Sequence, residues 1–219
     1  MKFALINGER VTPAPKARGI CPVCKSELIS KCGEYMLWHW AHRSRKNCDQ
    51  WWENETEWHR SWKDLFPDDW QEVAEKDPYT GEIHVADIKT PNGLVIEFQH
   101  STINSDELIS RELFYKKMIW VVDGCKNEFD MYNFSNMRSR PDAEGIANFH
   151  WFGRSTLFKR WYSRKPIFID FGPKGFWRVL RFDLKTKKGL VGIVDKSDFA
   201  SLIIKDTTDF SDCGGPASN

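Results

Sequence analysis

The alternation of apolar and polar positions changes rhythm several times along the chain, and each change predicts an element. Lys2 to Ile6 predicts a short strand, and a Pro-rich connection follows. Residues 53–66, ENETEWHRSWKDLF, read as a helix that Pro67 terminates. Three strand-like segments come next, at 70–76, 82–89 and 94–100. A helix is predicted from Ser105 to Lys117, with Ser105 as its cap and Asp106 and Glu107 in its first turn. MIWVVDG, 118–124, is β-rich and ends at a glycine, which predicts a buried strand. Residues 134–165 are basic and irregular, with aromatic residues interleaved. Strands at 166–171, 175–184 and 189–194 and a short helix from Ser197 to Ile204 complete the pattern. The polar tail from Asp206 is expected to fray. Helix, antiparallel strands, helix and strand in that order predict a mixed α/β layer architecture.

Composition narrows the function classes. Apolar residues make up 41% and charged residues 29%, which fits a globular chain and excludes a disordered or fibrous one. The longest apolar run, Met118 to Val122, is far short of a membrane span. MKFALINGER turns polar too soon for a signal peptide, so the cytoplasm is expected. Trp38, Trp40, Trp51, Trp52, Trp58, Trp62 and Trp70 crowd one stretch and read as packing residues. Six cysteines are too few for a disulfide scaffold, and clustering favours a metal site.

Cys21-Pro-Val-Cys24 has the spacing of a metal knuckle, which turns two thiolates toward one ion. Its second half must come from Cys32, His39, His42 or Cys48. Cys32 follows Cys24 too closely, whereas His42 and Cys48 are spaced like a second ligand pair. The expected set is Cys21, Cys24, His42 and Cys48 around a structural Zn²⁺, all four positions being filled. His39 remains open as an alternative ligand or a packed polar residue. Cys125 and Cys213 stand alone and read as inert.

A second constellation spans 55–99. Glu55, His59 and Lys63 are spaced to form one stripe of the predicted helix. VADI (85–88), Thr90-Pro91-Asn92-Gly93 and LVIEFQ (94–99) follow. Pro91 suits the first central position of a turn and Gly93 the left-handed position of a three-residue loop. That loop pairs Thr90 with Leu94, and therefore Asp87 with Glu97. Like charges directly opposite are destabilising, and a divalent cation would offset the repulsion. Asp87, Glu97 and Glu55 are hard oxygen donors, so Mg²⁺ or Mn²⁺ is the expected ion. Such an ion can lower the pKa of a water and stabilise a pentavalent phosphate. His84 and His100 fall on the opposite strand face and read as structural.

Glu97-Phe98-Gln99 after Asp87, between two helices, resembles the PD-(D/E)XK nuclease core. More closely, CPVC, WHWAH (38–42), ETEWHRSWK (55–63), VADI, IEFQHS (96–101), and Arg111 followed by Tyr115 resemble the competence-protein CoiA-like family. The resemblance covers about residues 1–125. It implies a restriction-endonuclease-like mixed sheet flanked by helices, with a small N-terminal zinc-binding module. It also implies metal-dependent phosphodiester hydrolysis and a link to DNA processing, such as incoming or foreign DNA. Gln99 stands where the wider superfamily has lysine, as in the CoiA-like subset. Glutamine can orient a water but brings no charge. Lys63 or His59 would then supply phosphate contact or proton transfer.

The expected organisation is a zinc module at 1–50, a nuclease core at 51–125, a C-terminal α+β region at 126–205 and a disordered tail at 206–219. Arg154, Lys159, Arg160, Arg164 and Lys165, with Trp151, Phe158 and Trp161 as neighbours, are candidate nucleic-acid contacts: basic groups meet phosphate and aromatics stack on unpaired bases. The expected partner is DNA, single- or double-stranded, with no membrane. A second copy of the chain or a protein of a DNA-processing system is a further expected partner. The rival reading is a DNA-binding accessory protein with a vestigial core. The formal charge of +1 hides a segregation of charge: residues 1–48 carry a net +6, residues 49–99 a net −9 and residues 100–219 a net +4. A neutral total therefore does not exclude a nucleic-acid partner.

Overall fold

The structure, a computed structural model, describes residues 1–44, 48–51, 53, 55–151, 156–161 and 163–206. The chain divides into two compact units, Met1–Lys89 and Thr90–Asn219. Among the described residues, no helix is long and apolar enough to cross a membrane.

The first unit opens with an antiparallel five-stranded sheet. Its strands are β1 (Ala4–Ile6), β2 (Glu9–Val11), β3 (Arg18–Ile20), β4 (Glu27–Lys31) and β5 (His39–His42), in the order β2-β1-β3-β4-β5. Asn7 and Gly8 join β1 to β2 with φ of 54° and 87°, the paired left-handed residues of a tight hairpin loop. Met1, Ala4, Cys21, Leu28 and Trp40 form a small apolar core, against which Val11, Val23 and Cys48 pack. A core of that size leaves room for a metal to contribute to stability.

Helix α1 (Glu57–Lys63) is shorter than its sequence suggests. Thr56 caps it, accepting from the His59 backbone N–H, while the His59 ring accepts from the Thr56 backbone N–H. Its C-cap is Asp64, so the helix ends before Pro67 is reached. A 3-10 turn (Asp68–Trp70) leads into the antiparallel pair β6 (Gln71–Lys76) and β7 (Ile83–Lys89).

The second unit is a mixed sheet with helices. Its elements in chain order are β8 (Val95–Gln99), α2 (Ser105–Phe114), β9 (Met118–Asp123), α3 (Glu128–Met137) and β10 (Ile146–His150). Next come α4 (Leu157–Arg160), β11 (Ile167–Asp170), β12 (Phe176–Asp183), β13 (Lys188–Val194) and α5 (Lys196–Ile204). The strands lie in the order β8-β9-β11-β12-β13-β10. β8, β9 and β11 run parallel, whereas β12, β13 and β10 join antiparallel. Every residue of β8, β9 and β11 is buried, as expected for parallel strands covered on both faces.

Asn104, not Ser105, caps α2 through the Glu107 backbone N–H, and the helix stops at Phe114 rather than Lys117. The stretch read as irregular holds the end of α3, β10 and α4. Its aromatic residues face inward: Trp151, Phe158 and Trp161 are all buried, and Phe158 stacks on Phe149. Phe134 stacks on Phe171 and meets Trp177 edge-on. The expectation that these aromatics stack on bases is therefore corrected, because apolar burial has taken them into the core.

Candidate metal centre and acidic site

The knuckle Cys21–Cys24 is shaped by its own backbone. Ser26 O accepts from the Cys21 N–H at 2.8 Å, and Cys21 O accepts from Lys25, whose φ is 61°. β5 delivers His42, and Cys48 joins the same cluster. The four ligand atoms of Cys21, Cys24, His42 and Cys48 lie within 4.8 Å of one another. Cys21 Sγ is 3.7 Å from Cys48 Sγ, and Cys24 Sγ is 3.3 Å from His42 Nε2. A tetrahedral zinc with Zn–S of ~2.3 Å requires sulfur atoms ~3.8 Å apart, so the arrangement fits the ion. His39, with Nδ1 at 2.9 Å from Leu37 O, and Cys32 stand outside the cluster.

Residues 15–50 match the family model described as Competence protein CoiA, N-terminal domain. The match is to a small part of the chain, and all four ligands fall inside it. No curated protein and no solved structure matches the chain. Within the CoiA-like segment the thiols are unequal. Burial pushes Cys48 up to about 12, with the neighbouring Cys21 adding to the effect, and burial raises Cys21 as well. Burial also acts upward on Cys24, but hydrogen bonds with Ser26 and His42 outweigh it and bring that thiol down to about 6.

Next to Cys48, Asp49 fastens the loop to β7. Its carboxylate accepts from the backbone N–H groups of Trp51 and Val85 at 2.9 and 2.8 Å, and lies 2.8 Å from His84 Nδ1. The other His84 nitrogen is 2.7 Å from Glu82, and Trp51 stacks face to face on the imidazole. Both nitrogens of His84 are thus held by carboxylates, in keeping with its structural reading.

The acidic residues of the first unit gather around one ammonium. Lys63 Nζ is 2.9 Å from Asp87 Oδ1, 3.5 Å from Glu55 Oε1 and 3.5 Å from Glu72 Oε1. Glu55 lies before the cap of α1 rather than within the helix, yet it still reaches Lys63. Arg60 grips both Glu55 oxygens, at 3.0 and 2.6 Å. Burial acts to raise the Glu55 carboxyl, but Lys63 and Arg60 overcome it and hold it at about 2. Burial likewise opposes the charge on Lys63, and Asp87, Glu72 and Glu55 together hold its ammonium above the ordinary lysine range.

Sequence reading missed Glu72. Glu72 on β6 and Asp87 on the neighbouring β7 both reach Lys63, at 3.5 and 2.9 Å. Glu72 has φ of 48°, and its oxygens accept from the backbone N–H groups of Lys2 and Phe3. The available signal was an acidic residue in a predicted strand, which periodicity alone does not single out. His59 is buried, with Nδ1 turned to Thr56 and Nε2 3.8 Å from Glu53. Because Nδ1 accepts at the cap, its proton belongs on Nε2.

In the second unit the turn forms as the sequence implies. Thr90 donates to Leu94 O at 2.9 Å, Gly93 donates to Thr90 O, and Gly93 has φ of 81°. Glu97 is buried and ion-paired with Arg111 at 3.0 Å, and Arg111 also reaches Glu107. Gln99 donates to Ser101 at 3.3 Å. His100 pairs with Asp123 at 2.7 Å. Among the candidate phosphate contacts, Arg160 donates to Thr156 and Thr102, and Lys165 to Lys116 O. Lys159 and Arg164 are exposed, and Arg154 lies outside the described residues, as does Cys213.

Proposed function

We propose that the chain is a metal-dependent deoxyribonuclease of PD-(D/E)XK type, carrying a structural zinc module and acting in DNA processing. The observation that carries this reading is Lys63 held at 2.9 Å from Asp87, a buried positive charge beside the proposed ligand in a chain whose Gln99 supplies none. The carboxylates of Asp87 and Glu97 would hold Mg²⁺ or Mn²⁺, and a bound cation supplies Lewis acidity toward phosphate. Lys63 fixes the Asp87 carboxylate. Glu55, gripped by Arg60, acts through Lys63, and Gln99 orients water by hydrogen bonds. The likeness of residues 15–50 to a competence-protein domain supports DNA as the substrate and a role in handling incoming DNA inside the cell.

The test is incubation of the full chain with single- and double-stranded DNA and Mg²⁺ or Mn²⁺. Cleavage is expected, with a loss of at least ~100-fold in Asp87→Ala and in Glu97→Ala. Absence of cleavage with either metal overturns the reading. The ion pairs of both proposed ligands, Asp87 with Lys63 and Glu97 with Arg111, favour a second reading, a DNA-binding accessory protein, because each carboxylate already has a cationic partner that a metal would have to displace or share. DNA binding that persists in both variants without cleavage would select it.

A further inference from the structure

The second unit carries a groove of about 1010 Å³ where β12 turns into β13 beside β10. Arg181, Lys185, Lys188, His150, Asn148 and Ser139 supply polar groups to its lining. The register sets two cross-strand rows on one sheet face: His150, Lys188 and Asp183, then Asn148, Leu190 and Arg181. The alternate positions, Phe149 and Phe182, are buried in the aromatic core, which anchors these strands.

Arg181, Lys185 and Lys188 are exposed and form no ion pair among the described residues. One acidic residue lines the groove, Asp183. Its Oδ1 accepts from the Lys185 and Thr186 backbone N–H groups at 2.7 and 3.1 Å, so that carboxylate is occupied in shaping the turn. The result is a concave surface on which three cations face one carboxylate, a net positive lining with neutral hydrogen-bonding groups between the charges. The lining aromatics are buried, so the surface offers charge rather than stacking. An extended polyanion with regularly spaced single charges complements it.

We propose that this groove docks the phosphodiester backbone of a nucleic acid, through Arg181, Lys185 and Lys188. The inference agrees with a phosphodiester substrate but does not depend on hydrolysis.

The test measures equilibrium binding of fluorescently labelled single- and double-stranded oligonucleotides to the full chain, without added divalent cation, over a series of salt concentrations. Arg181→Ala/Lys185→Ala/Lys188→Ala is expected to weaken binding at least ~10-fold and to lower the log–log salt slope by about 2–3. A matched triple variant of exposed lysines elsewhere in the unit, Lys116→Ala/Lys126→Ala/Lys174→Ala, is expected to change affinity by less than ~3-fold. Circular dichroism confirms that both fold. Wild-type chain that does not bind, unchanged binding in the groove variant, or equal losses in both triple variants overturns the proposal. Two variants separate the readings: binding without cleavage in Asp87→Ala leaves the groove standing, and cleavage with unchanged binding in the groove variant removes the groove alone.

Discussion

Replacing Lys63 with methionine keeps an unbranched chain of similar length but removes the ammonium that Glu55, Glu72 and Asp87 share. At separations of 2.9, 3.5 and 3.5 Å, each attraction amounts to about 5–6 kcal/mol at an effective dielectric constant of 20. Burying the ammonium and the carboxylates costs several kcal/mol for each ion and offsets most of that. Removing one partner leaves the remaining charges buried and repelling, so the expected loss at pH 7 is about 3–5 kcal/mol. The pH dependence distinguishes this cause from lost packing. Glu55, held at about 2 against an ordinary 4.5, contributes stability that is present above about pH 4.5 and lost as pH falls toward 2. Lys63, raised above its ordinary value, contributes stability that is lost only as pH rises above the usual lysine range. Without Lys63 the Glu55 and Glu72 carboxyls take up protons at higher pH, so the difference between the two proteins shrinks between pH 7 and pH 4. Urea unfolding followed by tryptophan fluorescence at both pH values measures it. A difference below ~1 kcal/mol at pH 7, or one that is equal at pH 4, refutes the argument.

Metal analysis of the purified full chain should return about one equivalent of zinc, and Cys24→Ser or Cys48→Ser should lower both the zinc content and the melting temperature. Arg111→Leu should destabilise by about 3–5 kcal/mol in chemical denaturation, because it leaves Glu97 buried without that cation, and Glu97→Leu added to it should recover much of the loss. Glu55→Gln should flatten the acid limb of the stability profile between pH 4.5 and 2, as read by thermal melts across that range. Asp195 caps α5 through the backbone N–H groups of Ser197 and Asp198, and Asp195→Ala should cost about 1 kcal/mol by urea titration.

The elements with strong periodicity or turn chemistry were legible. The Cys/His cluster of Cys21, Cys24, His42 and Cys48 follows from cysteine and histidine spacing, which chain geometry limits to few solutions. The loop at 91–93 follows from Pro91 and Gly93, and β9 and β11 from uninterrupted β-branched and aromatic runs. The hairpins of the first fifty residues were not legible, although Asn7-Gly8 is a strong turn signal, because strands of three residues are too short to show alternation. Glu55 was placed inside a helix that starts after Thr56; the stripe argument found the right neighbours through the wrong local geometry. Glu72 and Arg111 acquire their roles from partners distant in sequence, to which no local pattern responds. The aromatic residues at 151–161 were misassigned because basic neighbours say nothing about which way a ring turns.

The placement of β10 bears on how the chain acquires its structure during synthesis. β10 is made before β11, yet its partner is β13, with Phe149 opposite Gly189. Until residues near Val194 have left the ribosome, β10 has no strand to join, whereas the hairpin of β1 and β2 closes within a few residues of being made. Local pairings form fast and distant ones slowly, so the first unit can fold while the second still waits. The nascent second unit would then hold Phe149, Trp151 and Phe158 exposed for the interval, making it the segment on which chaperones act. Truncation before Lys188 should leave that state permanent, with β10 as a free edge prone to pair with other chains.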